Sequence, residues 1–65
     1  MTSARDELLT VAQVLSLLDV APRTFYRWRE IGKAPKAVRL PNGELRIWRS
    51  DLLMWLERLR EGRAA

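Results

Sequence analysis

Asp19-Val20-Ala21-Pro22-Arg23-Thr24-Phe25-Tyr26-Arg27-Trp28-Arg29-Glu30-Ile31-Gly32 is the stretch on which the fold turns. Pro22 has the fixed φ that suits a first helical position, and Gly32 tolerates the left-handed conformation that ends a helix, so the residues between them read as one helix of about three turns. Ala21, Phe25 and Trp28 share one face of it, whereas Arg23, Tyr26, Arg27 and Glu30 cover the other. The aromatic face is predicted to point inward.

Upstream, Val11, Val14, Leu15 and Leu18 recur at helical spacing and form a second apolar stripe. Thr10 and Gln13 have the spacing of a capping box, with Leu9 and Val14 at the staple positions around it, so this helix is expected to start at Val11. Asp19 and Val20 break the stripe. Two short helices joined by Asp19-Val20-Ala21 match a helix-turn-helix, in which the outer, N-terminal side chains of the second helix enter the DNA major groove.

Downstream the period changes. Ala34-Pro35 stops any helix; Val38 and Leu40 then alternate with Arg39, and Leu45 and Ile47 alternate with Arg46 and Trp48, which is a strand pattern. Between the two runs, Pro41-Asn42-Gly43-Glu44 predicts a tight hairpin, with Asn-Gly supplying positive φ. Ser50 is placed to cap a third helix, with Asp51 at its positive end and Leu52, Trp55, Leu56 and Leu59 as its buried stripe. The fold class expected is mainly α with a small β-hairpin: a winged helix-turn-helix of three helices and a two-stranded wing over residues 8–60. Residues 1–7 read as a flexible N-terminal arm and 61–65 as a frayed C-terminus.

Composition narrows function further. A chain of 65 residues makes one small domain that buries only about 60% of its unfolded surface, which disfavours a deep enclosed active site. It has no cysteine and no histidine, hence no disulfide, no thiolate metal site and no imidazole base. No nucleophile-base pair, Gly-rich phosphate loop or carboxylate cluster is present; Asp51 and Glu57 fall on different helix faces. The expectation is no enzyme, no catalytic residue, no metal and no cofactor. The longest apolar run, Leu52 to Leu56, is far below the roughly 20 residues of a membrane span, and no secretory signal is visible, so a cytoplasmic, nucleoid-associated location is expected.

The charge is unevenly spread. Residues 20–49 hold eight Lys or Arg and two acids, for a net +6, within a chain whose total is +4. Such a concentration points to a polyanion, and its placement on a helix and a hairpin points to double-stranded DNA. Arg23, Thr24, Tyr26 and Arg27 are the candidate groove contacts, since an Arg fork matches guanine O6 and N7 while hydroxyls serve phosphates or base edges. Arg39, Asn42, Gly43 and Arg46 are the candidate wing contacts, with Glu44 expected to turn aside. Lys33, Lys36 and Arg49, at element ends, are expected to touch phosphates without reading sequence. The plainer alternative for each is a solvated surface charge. Trp28 and Trp55 lie on apolar stripes and read as core; Trp48 has a covering role or a contact role open to it. Met54 reads as exposed beside Glu57 and Glu61.

Taken together, Leu9-Thr10-Val11-Ala12-Gln13-Val14, Arg23-Thr24-Phe25-Tyr26-Arg27-Trp28, Gly32-Lys33-Ala34-Pro35, Arg46-Ile47 and Arg49-Ser50-Asp51-Leu52 to Trp55-Leu56 resemble the small MerR-like winged helix-turn-helix proteins, which include the excisionase and AlpA-type families. The resemblance covers residues 8 to 59. It implies a DNA-binding protein of mobile elements: either an excisionase (recombination directionality factor) that binds and bends attachment-site DNA to help an integrase excise, or a phage or mobile-element transcription regulator. It also implies integrase and further protomers on adjacent DNA sites as partners, with no membrane and no small-molecule effector. One departure stands out: Ala21 occupies the position where the family has a capping Ser or Thr. A protein-interaction module that merely keeps the fold is the alternative from another class.

Overall fold

The computed structural model of the chain describes residues 6–61. The elements run β1 (Leu8–Thr10), α1 (Val11–Leu18), α2 (Pro22–Glu30), β2 (Val38–Arg39), β3 (Leu45–Trp48) and α3 (Arg49–Leu59). Three helices and a hairpin wing are therefore present, as a winged helix-turn-helix requires, but the sheet has three antiparallel strands in the order β1-β3-β2. The sequence reading of a two-stranded sheet missed β1. Leu8, Leu9 and Thr10 pair with Trp48, Ile47 and Arg46, a register that a three-residue run too short to show any period does not announce.

α1 begins where the capping box places it. The Gln13 N–H donates to Thr10 Oγ1 at 3.0 Å and the Thr10 N–H donates to Gln13 Oε1 at 2.8 Å, so two otherwise orphaned donors are satisfied reciprocally. It ends at Asp19, which takes the left-handed conformation with φ 58°. α2 has Pro22 in its first turn and no side-chain bond at its N-cap, Ala21. Its other end is closed by Gly32 with φ 73°: the Lys33 N–H reaches Trp28 O at 2.8 Å and the Gly32 N–H reaches Arg29 O at 3.2 Å, the paired bonds of a Schellman cap.

α3 corrects the capping expectation. Its N-cap is Trp48, with no side-chain bond, and Ser50 lies inside the helix as a donor. The acceptor comes from Asp6, whose carboxylate receives the Ser50 N–H at 2.9 Å and the Ser50 hydroxyl at 2.6 Å. The Arg49 N–H donates to Glu7 O at 2.7 Å. Asp6 and Glu7, read from the sequence as part of a loose arm, are thus tied to the start of α3. The Ser50 hydroxyl bond holds the Asp6 carboxyl below its ordinary value; backbone N–H bonds and the Arg49 charge act the same way, and desolvation opposes them. The rest of the expected arm, 1–5, and the end of the expected frayed tail, 62–65, lie outside the described residues.

The core is Leu9, Val14, Phe25, Ile47, Leu52 and Trp55, one or two from every element except β2. Val14, Phe25 and Ile47 are fully buried, and side chains of this kind contribute about 1.5–3 kcal/mol each when taken out of water. Trp28 packs at the margin with its ring centroid 5.8 Å from that of Trp55, whose Nε1–H donates to Lys33 O at 2.9 Å. Both tryptophans therefore serve packing, and Trp48 is half-buried opposite Leu8. Two residues assigned inward by periodicity are exposed, Ala21 at the head of α2 and Leu59, the last residue of α3, which is 55% exposed; Val38, on the edge strand, is exposed as well. Met54 is exposed as expected.

Candidate nucleic-acid interface

Burying Phe25 against the sheet and Trp28 against Trp55 sets the rotation of α2. Arg23, Tyr26 and Arg27 are consequently exposed, and with Thr24 and Glu30 they border one surface groove of about 350 Å³. Tyr26 is held by an edge-on contact with Phe25, ring centroids 5.5 Å apart at 83°, while it stays 46% exposed. Arg27 and Arg29 also occupy the last turn of α2, where cations complement the negative end of the helix dipole.

The wing differs from the predicted tight turn. The Gly43 N–H donates to Leu40 O and the Leu40 N–H to Glu44 O, both at 2.8 Å, so Pro41, Asn42 and Gly43 form a three-residue loop. Gly43 alone within it takes positive φ, 89°; Asn42 instead accepts the Glu44 N–H on Oδ1 at 3.0 Å and shapes the turn. Arg39 Nη1–H donates to Gly43 O at 3.0 Å, bracing the loop from the neighbouring strand. Arg46 Nη1–H donates to Leu45 O at 2.9 Å, and Nη2 is ion-paired with Glu44 Oε1 at 2.9 Å. Glu44 thus does turn back along the wing, onto Arg46.

Between α2 and the wing lies a second groove of about 540 Å³, which shares Tyr26 with the first. Arg29, Arg39 and Arg46 line it, with the first residues of α1 forming its floor. A helix with an outward basic face and a wing flanking a shared groove is the geometry of a DNA reader, and the comparison with known families agrees: residues 8–60 match the family described as Helix-turn-helix domain. The chain belongs to that helix-turn-helix family. Its members are of the excisionase/AlpA-like kind, and the domain points to binding of double-stranded DNA. No curated protein and no solved structure matches the chain.

The helix-turn-helix domain brings some of the sequence-predicted residues together and separates others. Arg23, Thr24, Tyr26 and Arg27 share the α2 groove; Arg39, Gly43 and Arg46 share the wing groove, with Asn42 at its tip. Lys33 borders an apolar cleft with Trp28, Ile31, Trp55 and Leu59, and Lys36 sits beside Asp51, Met54 and Arg58. Arg49 starts α3 next to Asp6, at the opposite edge of the sheet from β2. None of these three cations lines either groove. Arg29 is the residue that sequence reasoning passed over, and its spacing of three from Tyr26, one turn along the same side of the helix, was the available signal. Among the described residues no His, Cys, Asp or Glu cluster could hold a metal ion, and no helix is long and apolar enough to cross a membrane.

Proposed function

We propose that this domain is a sequence-specific DNA-binding excisionase, a recombination directionality factor of the MerR-like winged helix-turn-helix group. It binds and bends attachment-site DNA and so promotes integrase-mediated excision. The observation that carries the DNA reading is that Tyr26 borders both the basic groove on α2 and the basic groove beside the wing, which suits α2 to a major groove and the wing to the adjoining backbone and minor groove. Arg23, Thr24, Tyr26 and Arg27 are assigned to the major groove; Arg39, Asn42, Gly43 and Arg46 to the wing contact. Lys33, Lys36 and Arg49 lie outside both grooves and serve phosphates only where bent DNA wraps toward them. The excisionase role rests on the family resemblance, and on the small size of a module that needs several copies on adjacent sites, together with an integrase, to act. A cytoplasmic, nucleoid-associated location follows from that role. A mobile-element transcription regulator would use the same surface and differ only in where its site lies.

The test is selection of the pure protein's targets from a random pool of duplex DNA at two salt concentrations. Enrichment of a motif in short direct repeats, with a log-log salt slope near about −4 to −6, supports the reader. In that setting Arg27→Ala should weaken binding to the selected motif by about 1–3 kcal/mol and relax preference at one base. Equal losses on selected and random DNA would remove Arg27 from base reading. Placing the motif beside an attachment site or a promoter then separates excision from regulation.

A further inference from the structure

Arg29 lines the groove between α2 and the wing as a half-buried residue, and among the described residues its guanidinium has no hydrogen-bonding or ionic partner. None of its side-chain nitrogens is both buried and unpartnered, so the guanidinium holds its five donors at the surface of the open groove, where an arriving anion can take them. Arg39 and Arg46 line the same groove. Each spends donors on backbone carbonyls of the wing, which fixes their heads and leaves further N–H groups on both. The one acid in the groove is Glu44, and its carboxylate is on Arg46 Nη2 at 2.9 Å. Three cations against one anion leave the groove strongly positive.

We infer that Arg29, Arg39 and Arg46 form a seat for one phosphodiester of duplex DNA, and that Glu44 is its internal competitor, a carboxylate standing where a phosphate oxygen binds. The inference deepens the DNA-binding reading and rests on it for the source of the phosphate. A phosphate is matched to this seat because its oxygens accept the paired donors of Arg forks, and because a monoanion replaces the charge that leaves when Glu44 swings out. The Glu44–Arg46 pair opposes binding to any DNA, so contacts elsewhere on a correct site must open it. That arrangement lowers affinity for random sequence as well as for the target.

Two isosteric variants test the seat. Glu44→Gln keeps a hydrogen bond to Arg46 and removes the charge; it should tighten binding to both selected and random duplexes by about three- to tenfold at low salt. Arg29→Met keeps the packed stem and removes the donors; it should weaken binding to all duplexes and flatten the log-log salt slope by about 0.9, the share of one phosphate. Arg60→Ala, far from the groove in sequence and paired with Glu57, serves as the control cation. Loss and slope for Arg29→Met equal to those for Arg60→Ala, or unchanged affinity for Glu44→Gln, would overturn the seat even if the wild-type protein binds DNA well. Inorganic phosphate titrated into the free protein, followed by the Arg Nε–H resonances, separates the sources. Shifts at Arg29, Arg39 and Arg46 that are larger in Glu44→Gln support the oxyanion seat whether or not duplex binds. Shifts spread evenly over all arginines refute it.

Discussion

α1 and α3 both follow directly from a strand, and they are started by opposite means. Thr10 and Gln13 close α1 from within, three residues apart, with the bonds of a capping box. α3 has no capping side chain of its own and borrows the Asp6 carboxylate, 44 residues earlier in the chain, together with the Glu7 carbonyl. The first helix can therefore begin to form from local sequence, whereas the start of the third depends on β1 having paired with β3. The pairing of Leu9 with Ile47 in the core makes that dependence energetic as well as geometric. The helix-turn-helix half is a local construction; the wing and the third helix are held to it by contacts distant in sequence.

The largest expected break in this contrast is Ile47→Ala. Removing a fully buried side chain at the β1–β3 junction should cost about 2–5 kcal/mol, a large part of the stability available to a domain of this size. Urea unfolding followed by tryptophan fluorescence would measure it, and a loss below about 1 kcal/mol would mean that the sheet does not bind the two halves together. Thr10→Ala tests the local start. It should cost about 1 kcal/mol, and the loss should be the same at pH 7 and pH 3 because neither capping partner titrates.

Ala21→Ser sharpens the comparison from the other side. α2 lacks a side-chain cap, and Ala21 already has cap geometry at φ −76° and ψ 152°, so a serine there should add about 0.5–1 kcal/mol in the same denaturation assay. No gain would show that Pro22 alone is a sufficient start. The smallest effect is expected from Asp6→Asn, whose partners lie at an exposed position where solvent screens the interaction. Because hydrogen bonding lowers the Asp6 pKa below 3.8, the stability it lends is present above that value and is lost as pH falls through the lowered one. The variant should therefore be less stable than the parent at neutral pH, and the two should converge in strong acid. A difference that persists unchanged after the carboxyl is protonated, as followed by its own NMR titration, would assign the effect to geometry and not to charge.

Much of the candidate site was legible because it lies on one helix. Phe25 and Trp28 anchor α2, and helical geometry then obliges Arg23, Tyr26 and Arg27 to face outward. The wing's existence was legible from Leu45 and Ile47, but its loop was not: the choice between a two- and a three-residue turn depends on whether Asn42 takes positive φ or bonds to the Glu44 N–H. Arg29 escaped because its helix alone does not show that it lines a groove with Arg39 and Arg46, which exists only once the wing is folded beside it. Lys33, Lys36 and Arg49 were expected to touch phosphates from their place at element ends, and which face each occupies depends on how the elements pack.

The sequence by itself determined the spans of the first two helices, the existence of the third, the inward aromatic anchors and the concentration of positive charge on residues 20–49, because apolar spacing, Pro22, Gly32 and the Thr10–Gln13 pair all act over a few residues. Only the tertiary structure decided that Leu8–Thr10 is a strand, that Asp6 starts α3, that Leu59 is left exposed and that Arg29 meets Arg39 and Arg46 across a groove. Those features join residues far apart in the chain. They depend on which register buries Leu9 and Ile47 together against Val14 and Phe25, and burial is a property of the assembled core that no single segment carries.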